Sequence, residues 1–370
     1  MKKIFVEGSL FNKEEQGSLT YLRELYKIIT LNSKENNFII GTDNPSAVKK
    51  IFGNHKNVFY YKYFFATKFL RLFLETPFVL FKKKIDFAHF QYITPLIKPM
   101  NCKYIVTIHD VLFIDYKADF SFSYRLIRTT LFYLSSKISD LTLTVSNYSK
   151  KRISNYFSID LNEIKVTPNA VSDDFVNFNA TKNESRLHLE NFNIYNDFVL
   201  YVSRIEPRKN QLLLLDLFEE KIIEDNLFTI VFVGANTISS TFKKKFTFFK
   251  NKYPKNIFYF EALAFSDLIH FYNSAKLFIY PSKCEGFGIP PLEAGVLRTP
   301  VLCSNLTAMK DFDFFNPLMF DPQSENIINV YNDLIFNDNL PDQEKIREKI
   351  IKKYNWKNSA SILINYFNNI

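Results

Sequence analysis

Two carboxylates and three glycines lie close together between two apolar segments of the sequence. Residues 276–305 read KLFIYPSKCEGFGIPPLEAGVLRTPVLCSN, with Glu285 and Glu293 eight positions apart. The pattern predicts a strand, a loop, a helix with Pro290 and Pro291 in its first turn, and a second strand. A helix N-terminus after a glycine-containing loop is where α/β proteins bind phosphates and sugars. The spacing therefore suits two parts of one elongated polar ligand.

Two cations lie about 80 residues upstream, in the segment SRIEPRKNQ. Arg204 follows a predicted strand, and Lys209 is expected to begin the next helix. Two cations in this position, reinforced by backbone N–H groups, suit a diphosphate. Their spacing alone is equally compatible with a solvated charged loop. Arg208, between them, is expected at the surface.

The two glutamates also have ordinary structural interpretations. On their own, Glu285 can cap a helix and Glu293 can be a partly exposed helical residue. The intervening GFGIP favours a ligand site, because glycines let backbone amides approach a ligand closely. Carboxylates also bind vicinal hydroxyls, as at the ribose of dinucleotide folds. The combination therefore indicates a sugar-containing ligand.

The histidines supply one further candidate. His109 ends the predicted strand YIVTIH. A lone histidine is more often a structural hydrogen-bonding group, but the carboxyl end of a strand favours a functional role. His89 lies near the end of the predicted strand FAHF and is the weaker candidate. The other three are interpreted as structural: His55, His188 and His270. The sequence contains no metal-binding spacing, so no metal site is predicted.

The first part of the chain alternates predicted strands with helices. A strand at 1–6, a polar loop through Gly17 and a helix at 18–31 open the pattern, without a G-x-G-x-x-G motif. Further strands are predicted at 37–42, 57–61, 87–90, 104–109 and 141–146, with helical patterns between them such as 64–76 and 121–138. This α/β alternation predicts a parallel sheet covered by helices on both faces.

A second α/β domain follows. Polar residues at 176–194 predict a boundary that gives domains at 1–175 and 176–354. The alternation then restarts, with strands at 198–203, 228–235 and 256–260 and helices at 209–223, 239–250 and 266–275. Two such Rossmann-like domains are expected to face a central cleft. The last segment, which contains Trp356, either caps the second domain or crosses back onto the first.

The composition of the chain limits the class of protein and the compartment in which it is expected. Of 370 residues, 47% are hydrophobic and 23% charged, and the longest apolar runs fall short of the roughly 18 residues of a membrane helix. The amino-terminal MKKIFVEGSL is too short an apolar stretch for a signal peptide. Three cysteines without metal or redox spacing agree with a reducing compartment. The protein is therefore expected in the cytoplasm.

The excess of positive charge lies entirely in the first half of the chain. Residues 1–175 contain 25 Lys and Arg against 16 Asp and Glu, whereas residues 176–370 contain 22 of each. Two segments are both basic and aromatic, 64–84 and 122–137. An amphipathic core helix with a solvated face explains each of them about equally well as a membrane contact does. Their shared domain favours a surface for an anionic membrane or an acidic lipid-linked acceptor. No nucleic-acid motif is present, so a nucleic-acid partner is not expected.

The segments SRIEPRKN and NSAKLFIYPSKCEGFGIPPLEAGVLRTPVLCSN resemble the retaining glycosyltransferases of family 4, which have the two-domain GT-B fold. The Glu-x7-Glu element and the Arg-x4-Lys pair are the specific part of this resemblance. Supporting matches lie at Gly17, 107–110, 144–153 and 164–171. The resemblance covers nearly the whole chain, and residues 198–322 most securely.

The resemblance implies that the second domain binds a nucleotide-diphosphate sugar and the first binds the acceptor. By this resemblance, Arg204 and Lys209 would neutralise the diphosphate, and Glu293 would bind the ribose. Glu285 and the amides of Phe287, Gly288 and Ile289 would bind the donor sugar. His109 would contact that sugar from the opposite wall, and Gly17 would approach the phosphates closely. The family needs no metal, so no cofactor is expected besides the donor substrate. Its closing helix crosses back to the first domain, as 355–370 would here.

The resulting prediction is a glycosyltransferase at the cytoplasmic face of the membrane. It would move a sugar from a nucleotide-diphosphate donor to a lipid-linked or polysaccharide acceptor, of lipopolysaccharide, O-antigen or capsule type, with retention of the anomeric configuration. The sequence departs from the family at Ser203 and at 168–170, where glycines are common, and in a first loop without paired glycines. The alternatives are a GT-B epimerase or phosphorylase and a non-catalytic sugar-nucleotide-binding subunit.

Overall fold

The computed structural model describes residues 1–12, 17–53, 55–117, 120–235, 239–336 and 340–369. The chain divides into two compact units. The first is Met1–Asn169 together with Asn355–Ile370, and the second is Ala170–Tyr354. Within the described residues, no helix combines the length and the apolar character needed to cross a bilayer.

The first unit is built on a seven-stranded parallel sheet in the order β3-β2-β1-β4-β5-β6-β7. Its strands are β1 Lys3–Glu7, β2 Asn37–Thr42, β3 Val58–Lys62, β4 Phe87–Gln91, β5 Lys103–Thr107, β6 Leu141–Thr144 and β7 Ile164–Val166. Central strands are buried on both faces, as in β4, where every residue is buried. The chain order reverses between β1 and β4, and in open α/β sheets such a switch point is where ligands bind.

In the described part of the first unit, seven helices connect these strands. They are α1 Gly17–Asn32, α2 Pro45–Phe52, α3 Lys68–Leu70, α4 Thr76–Lys83, α5 Leu112–Asp115, α6 Phe122–Ile138 and α7 Asn147–Phe157, with a π-helical turn at Arg71–Glu75 between α3 and α4. Polar caps start three of them: the side chains of Asn44, Ser121 and Ser146 accept hydrogen bonds from first-turn amides of α2, α6 and α7. Such caps satisfy amides that a helix leaves unpaired.

The second unit holds a six-stranded parallel sheet in the order β10-β9-β8-β11-β12-β13. Its strands are β8 Phe198–Val202, β9 Thr229–Val233, β10 Ile257–Phe260, β11 Leu277–Tyr280, β12 Val301–Ser304 and β13 Met319–Phe320. The order reverses between β8 and β11, which are hydrogen-bonded neighbours. The segments that follow these two strands therefore occupy the switch point of this sheet.

The described residues of the second unit form eight helices. They are α8 Asp173–Val176, α9 Lys182–Leu189, α10 Leu212–Glu224, α11 Ser240–Lys252, α12 Phe265–Ser274, α13 Ile289–Val296, α14 Ile327–Phe336 and α15 Gln343–Lys353. The segment 176–194, interpreted from sequence as a polar boundary, contains α9. A capping box between Thr181 and Glu184 starts this helix, and such a reciprocal pair satisfies two of the amides at a helix start.

The last helix, α16 Trp356–Asn369, belongs to the first unit. Phe367 packs edge-on against Phe87, with ring centroids 5.2 Å apart, and Trp356 lies against Tyr21. The Lys2 ammonium donates a hydrogen bond to the Phe367 carbonyl at 2.7 Å. Periodicity left open whether the last helix caps the second domain or crosses back onto the first. In the structure it crosses back and packs on the first unit.

Candidate active site

A cluster of charged side chains lies at the switch point of the second unit. Arg204 follows β8 by two residues, and Glu285 follows β11 by five. Lys209 ends a 3-10 turn, Pro207–Lys209, and does not begin a helix as expected from the sequence. Asn210, at a φ of 57°, adopts the left-handed conformation and separates this turn from α10. The two neighbouring strands thus bring Lys209 and Glu285 together.

The carboxylate of Glu285 is buried and densely hydrogen-bonded. Its Oε1 accepts from the Lys209 ammonium at 2.5 Å, from the Ser282 hydroxyl at 2.7 Å and from the Tyr280 hydroxyl at 2.9 Å. Lys209 also donates to the Tyr280 hydroxyl at 3.0 Å. Both members of the ion pair are buried. The pair is therefore held by its surroundings as well as by its opposite charges.

Burial and charge oppose each other at this pair. Burial would raise the pKa of the Glu285 carboxyl, but the cations Lys209 and Arg208 and the hydrogen bonds outweigh it and lower the pKa to about 2. Burial lowers the pKa of the Lys209 ammonium, although Glu285 opposes that shift. A carboxylate with so low a pKa stays ionised at physiological pH. Glu285 can therefore accept hydrogen bonds but has no proton to donate.

Arg208 is a member of the cluster, contrary to the expectation that it lies at the surface. Its guanidinium donates to Glu285 Oε2 at 3.4 Å and to Glu206 Oε2 at 2.9 Å. Burial alone would lower the pKa of Arg208, but these two carboxylates raise it. Packing of the loop after β8 against the loop after β11 turns this side chain inward. Arg208 thus neutralises Glu285 together with Lys209.

Arg204 is the solvent-facing cation of the cluster. Its side chain is 51% exposed and lies 3.4 Å from Glu206 Oε1. The backbone around it is held by Gly234, whose φ is 137° and where an added Cβ would lie 2.1 Å from the Ser203 carbonyl oxygen. Only glycine fits such an approach. Gly234, which directly follows β9, therefore allows the close backbone approach beside Arg204.

The N-terminus of α13 supplies backbone donors in the same unit. Gly288 precedes the helix at a φ of 98°, and prolines follow in its first turn. The amides of Phe287, Gly288 and Ile289 make no hydrogen bond to another described residue. The Phe287 ring packs edge-on between Phe312 and Tyr354, at centroid distances of 5.7 and 5.5 Å. Unpaired amides at a helix start attract anions and polar oxygens.

Glu293 lies on α13 in an environment unlike that of Glu285. The Tyr272 hydroxyl donates a hydrogen bond to its Oε2 at 2.8 Å. Burial raises the pKa of the Glu293 carboxyl to about 7, and the Tyr272 hydrogen bond opposes this only in part. Two glutamates of the Glu-x7-Glu element thus differ in charge near neutral pH: Glu285 is ionised, and Glu293 titrates there.

In the first unit, His109 lies two residues beyond the end of β5 and is buried. Its Nε2 is 2.8 Å from Gln91 Oε1, and its ring lies 4.9 Å from that of Tyr21. Burial lowers the pKa of His109 to about 3, so the imidazole is neutral at physiological pH. The geometry gives His109 a fixed orientation and leaves it available as a neutral hydrogen-bonding group.

Two other candidates of the first unit differ in character. His89 is fully enclosed, with the Tyr26 hydroxyl 2.8 Å from Nδ1 and the Thr107 hydroxyl 2.8 Å from Nε2, which fits a structural residue. Gly17 is the first residue of α1, and a Cβ added there would meet no atom within 4 Å. No steric requirement in the described part of the chain therefore demands glycine at position 17.

Sequence reasoning missed several residues of the cluster: Glu206, Tyr280, Ser282, Thr307 and Tyr272. Thr307 accepts a hydrogen bond from the Glu285 amide at 2.9 Å across 22 residues of sequence. Ser282 and Tyr280 lie close enough to Glu285 in sequence to be suspected, whereas nothing in the pattern points to Thr307 or Tyr272. Among the described residues, no group of three His, Cys, Asp or Glu side chains has the arrangement of a metal site.

Two family models match the chain. The model for glycosyl transferases group 1 matches residues 190–354, and the model for glycosyltransferase family 4 matches residues 31–175. The first of these ranges contains every member of the charged cluster. The second contains His109 and His89.

The curated proteins that are similar in sequence include the following three. The serotype-specific mannosyltransferase WbdA of Escherichia coli is 25% identical over 62% of this chain and 29% of its own length. The O-antigen chain mannosyltransferase B of E. coli is 28% identical over 52% of this chain and 50% of its own length. The O-antigen chain mannosyltransferase RfbU of Salmonella typhimurium is 24% identical over 72% and 70%. The chain spans half or less of the first two proteins.

Solved structures share the fold at low sequence identity. Sucrose-phosphate synthase from Thermosynechococcus elongatus has a TM-score of 0.75 at 15% identity, over 100% of this chain and 99% of its own. Anabaena Alr3699/HepE in complex with UDP-glucose has a TM-score of 0.74 at 14% identity, over 100% of both chains. The likeness therefore extends through both units.

Proposed function

Because the chain belongs to the glycosyltransferases of family 4 and has the GT-B fold, we propose that it transfers a sugar from a nucleotide-diphosphate donor to a lipid-linked or polysaccharide acceptor. The observation that carries this proposal is the buried Lys209–Glu285 pair at the switch point of the second unit. Around it stand Arg204, Arg208 and the start of α13. Cations, a carboxylate and open amides are the groups that a diphosphate sugar needs.

The cations suit the leaving group. When the bond between the sugar C1 and the phosphate oxygen breaks, the departing nucleoside diphosphate gains negative charge. Arg204, which faces solvent, and Lys209, whose ammonium is already oriented by Tyr280, would stabilise that charge, together with the amides before α13. In this proposal these groups do the work that a bound metal does in other transferases, and the enzyme needs none.

The two glutamates would hold different parts of the donor. Glu285, which is ionised and fixed by three hydrogen bonds, would accept hydrogen bonds from sugar hydroxyls beside the amides of Phe287, Gly288 and Ile289. Glu293 would accept from the ribose hydroxyls, for which its ionised form is the better partner. His109, neutral because its pKa is about 3, would serve as a hydrogen-bonding group toward the sugar rather than as an acid. Gly17 would allow the phosphates to approach α1.

We further propose that the anomeric configuration is retained. The acceptor hydroxyl would attack C1 on the face from which the diphosphate leaves, its proton passing to the donor's own phosphate oxygen. One C–O bond breaks and one forms, and the nucleoside diphosphate carries the proton away. The side chains of the cluster then need only orient the donor and stabilise charge, which matches a site whose central carboxylate is already neutralised by two cations.

The relatives suggest which donor and acceptor to test first. Three of them carry mannosyltransferase names, and two of these names refer to O-antigen. We therefore propose a hexosyl donor, with mannosyl the leading choice, and an acceptor of the lipopolysaccharide, O-antigen or capsule type.

A nucleotide-sugar screen tests this proposal. The protein is heated with each donor in turn, and a donor present at about 100 times its Kd should raise the free energy of unfolding by about 2.7 kcal/mol. The best donor is then incubated with glycolipid acceptors, and the product is identified by mass and anomeric coupling. Binding without transfer to any acceptor would favour a non-catalytic subunit. Donor consumption without an acceptor would favour an epimerase, and no stabilisation by any donor would contradict the proposal.

A further inference from the structure

A basic aromatic surface lies on the first unit, between Lys62 and Lys84. It exposes five apolar side chains, each between 56% and 85% accessible: Phe64, Phe69, Leu74, Phe78 and Phe81. Leu74, Phe78 and Phe81 follow one another at spacings of four and three residues, so they form a single stripe along the π-turn and α4. The opposite stripe, with Leu72, Val79 and Leu80, is buried in the core. The apolar side chains of the exposed stripe therefore take no part in packing the core.

Within residues 62–84, the exposed charged side chains are all lysines. Five lysines surround the aromatic stripe: Lys62, Lys68, Lys82, Lys83 and Lys84. The one carboxylate in the segment, Glu75, is buried and accepts hydrogen bonds from the Tyr61 hydroxyl and the amides of Phe64 and Phe65. The one arginine, Arg71, is also turned inward and pairs with Asp43. The solvent-facing side of residues 62–84 thus combines phenylalanines with lysines, and the exposed carboxylate beside it, Asp43, is already paired with Arg71.

A second helix extends the same chemistry. In α6, Phe122, Leu126 and Ile127 are 57% to 71% exposed, and the helix contains three basic residues and no acidic one. Its last residue, Ile138, packs against the same core cluster as α4, and Ile93 joins that cluster to the one beneath α6. Both helices therefore cover the same face of the first sheet.

We propose that this surface docks the protein on an anionic lipid bilayer. Phenylalanine side chains that protrude beside lysines suit the interface of a membrane, where the rings enter the acyl boundary and the ammonium groups meet acidic headgroups. A second copy of the chain would oppose lysine with lysine, which disfavours self-association through this surface. The inference does not depend on the reaction, because it concerns residues of the first unit that lie outside the charged cluster.

Vesicle binding by the full chain tests the docking surface. The protein is sedimented with vesicles of phosphatidylcholine alone and of phosphatidylcholine mixed with phosphatidylglycerol, at low and high salt and without any sugar donor. We expect binding to the mixed vesicles only, weakened by salt because exposed charges are screened beyond about 10 Å at 0.1 M ionic strength. This measurement needs no variant. Equal binding to both vesicle types, or no binding to either, overturns the proposal.

Two variants assign the binding to this surface. Reversing Lys62, Lys82 and Lys83 to Glu should lower the partition coefficient at least about 100-fold, since one lysine near an anionic surface contributes about fivefold. Replacing Phe78 and Phe81 with Ser should lower it at least about tenfold. All of these side chains are exposed, so the unfolding temperature should not change.

The matched control lies in α11 of the second unit, which is also basic and aromatic. Lys243→Glu, Lys244→Glu and Phe248→Ser, at exposed positions there, should leave vesicle binding as in the wild type. An equal loss in this control, or unchanged binding in both variants of the docking surface, contradicts the assignment. Sedimentation velocity without lipid covers the remaining case: a wild-type dimer that Phe78→Ser and Phe81→Ser dissociate would make the surface a protein interface and overturn the proposal.

Discussion

The ion pair between Lys209 and Glu285 is expected to contribute measurably to the stability of the second unit. In Glu285→Gln the shape is kept but the charge is lost, and Lys209 and Arg208 remain side by side in a buried site. The pKa of Glu285, about 2 against the ordinary 4.5, corresponds to about 3 kcal/mol of stability at neutral pH. Leaving one partner of a buried pair unmatched typically costs about 3–5 kcal/mol, which agrees.

The sign of the pH dependence follows from the direction of this shift. The pKa of Glu285 is lower in the folded protein, so its contribution is complete above about pH 4.5 and is lost as the pH falls toward 2. In Glu285→Gln this contribution is absent at every pH. The difference in stability between the two proteins should therefore be largest at neutral pH and should shrink as acid is added.

Thermal unfolding followed by circular dichroism measures the effect. At about 2–4 °C per kcal/mol for a domain of this size, Glu285→Gln should lower the Tm by about 6–12 °C. Glu344→Gln, which removes a surface carboxylate paired with Arg298, is the matched control and should leave the Tm unchanged. Adding Lys209→Met to Glu285→Gln should cost less than the sum of the two single changes, because the partners interact. A Tm for Glu285→Gln equal to that of the wild type would refute the reasoning.

Three further predictions concern the rest of the site. The affinity for a nucleoside diphosphate should fall as the pH drops through about 7, because the pKa of Glu293 is raised to that value. Titration calorimetry checks this, and the affinity of Glu293→Gln should lack this pH dependence. Gly234→Ala should lower both the Tm and the turnover, because the new Cβ would lie 2.1 Å from the Ser203 carbonyl. Gly17→Ala should leave the Tm unchanged, and an equal loss of stability in both glycine variants would contradict this. A chelator should leave turnover unchanged, since in the proposed mechanism cations of the chain stabilise the leaving group, and restoration of a lost activity by added metal would disprove metal independence.

The fold was predictable because the apolar runs are strongly patterned. The strand predicted at 37–42 is observed as Asn37–Thr42, and α6 begins and ends within one residue of its prediction. β13, with two residues, is too short to produce a periodic signal. The two possible placements of the last helix were not separable from sequence, since the same apolar stripe can pack against either unit.

The site was predictable only where its residues are neighbours of a recognisable motif. Glu285, Glu293, Arg204 and Lys209 were named from spacing, but their mutual arrangement was not. Arg208 was expected at the surface because an arginine in a polar loop usually lies there. The structure turns it inward because its loop packs against a loop that is distant in sequence, where the guanidinium donates a hydrogen bond to the carbonyl of Cys284, 76 residues further along the chain. The contrast between an ionised Glu285 and a titrating Glu293 depends on burial, which sequence does not supply.

The central claim is that the charged cluster of the second unit transfers a sugar from a nucleotide-diphosphate donor, and Arg204 tests it most directly. Its side chain is 51% exposed, so Arg204→Ala should fold with an unchanged Tm. Release of nucleoside diphosphate in the presence of acceptor should nevertheless fall at least about 100-fold, as expected when one group that stabilises the leaving charge is removed. Lys244→Ala, at an exposed position in α11, should retain wild-type turnover. Equal turnover of Arg204→Ala and the wild type would contradict the account.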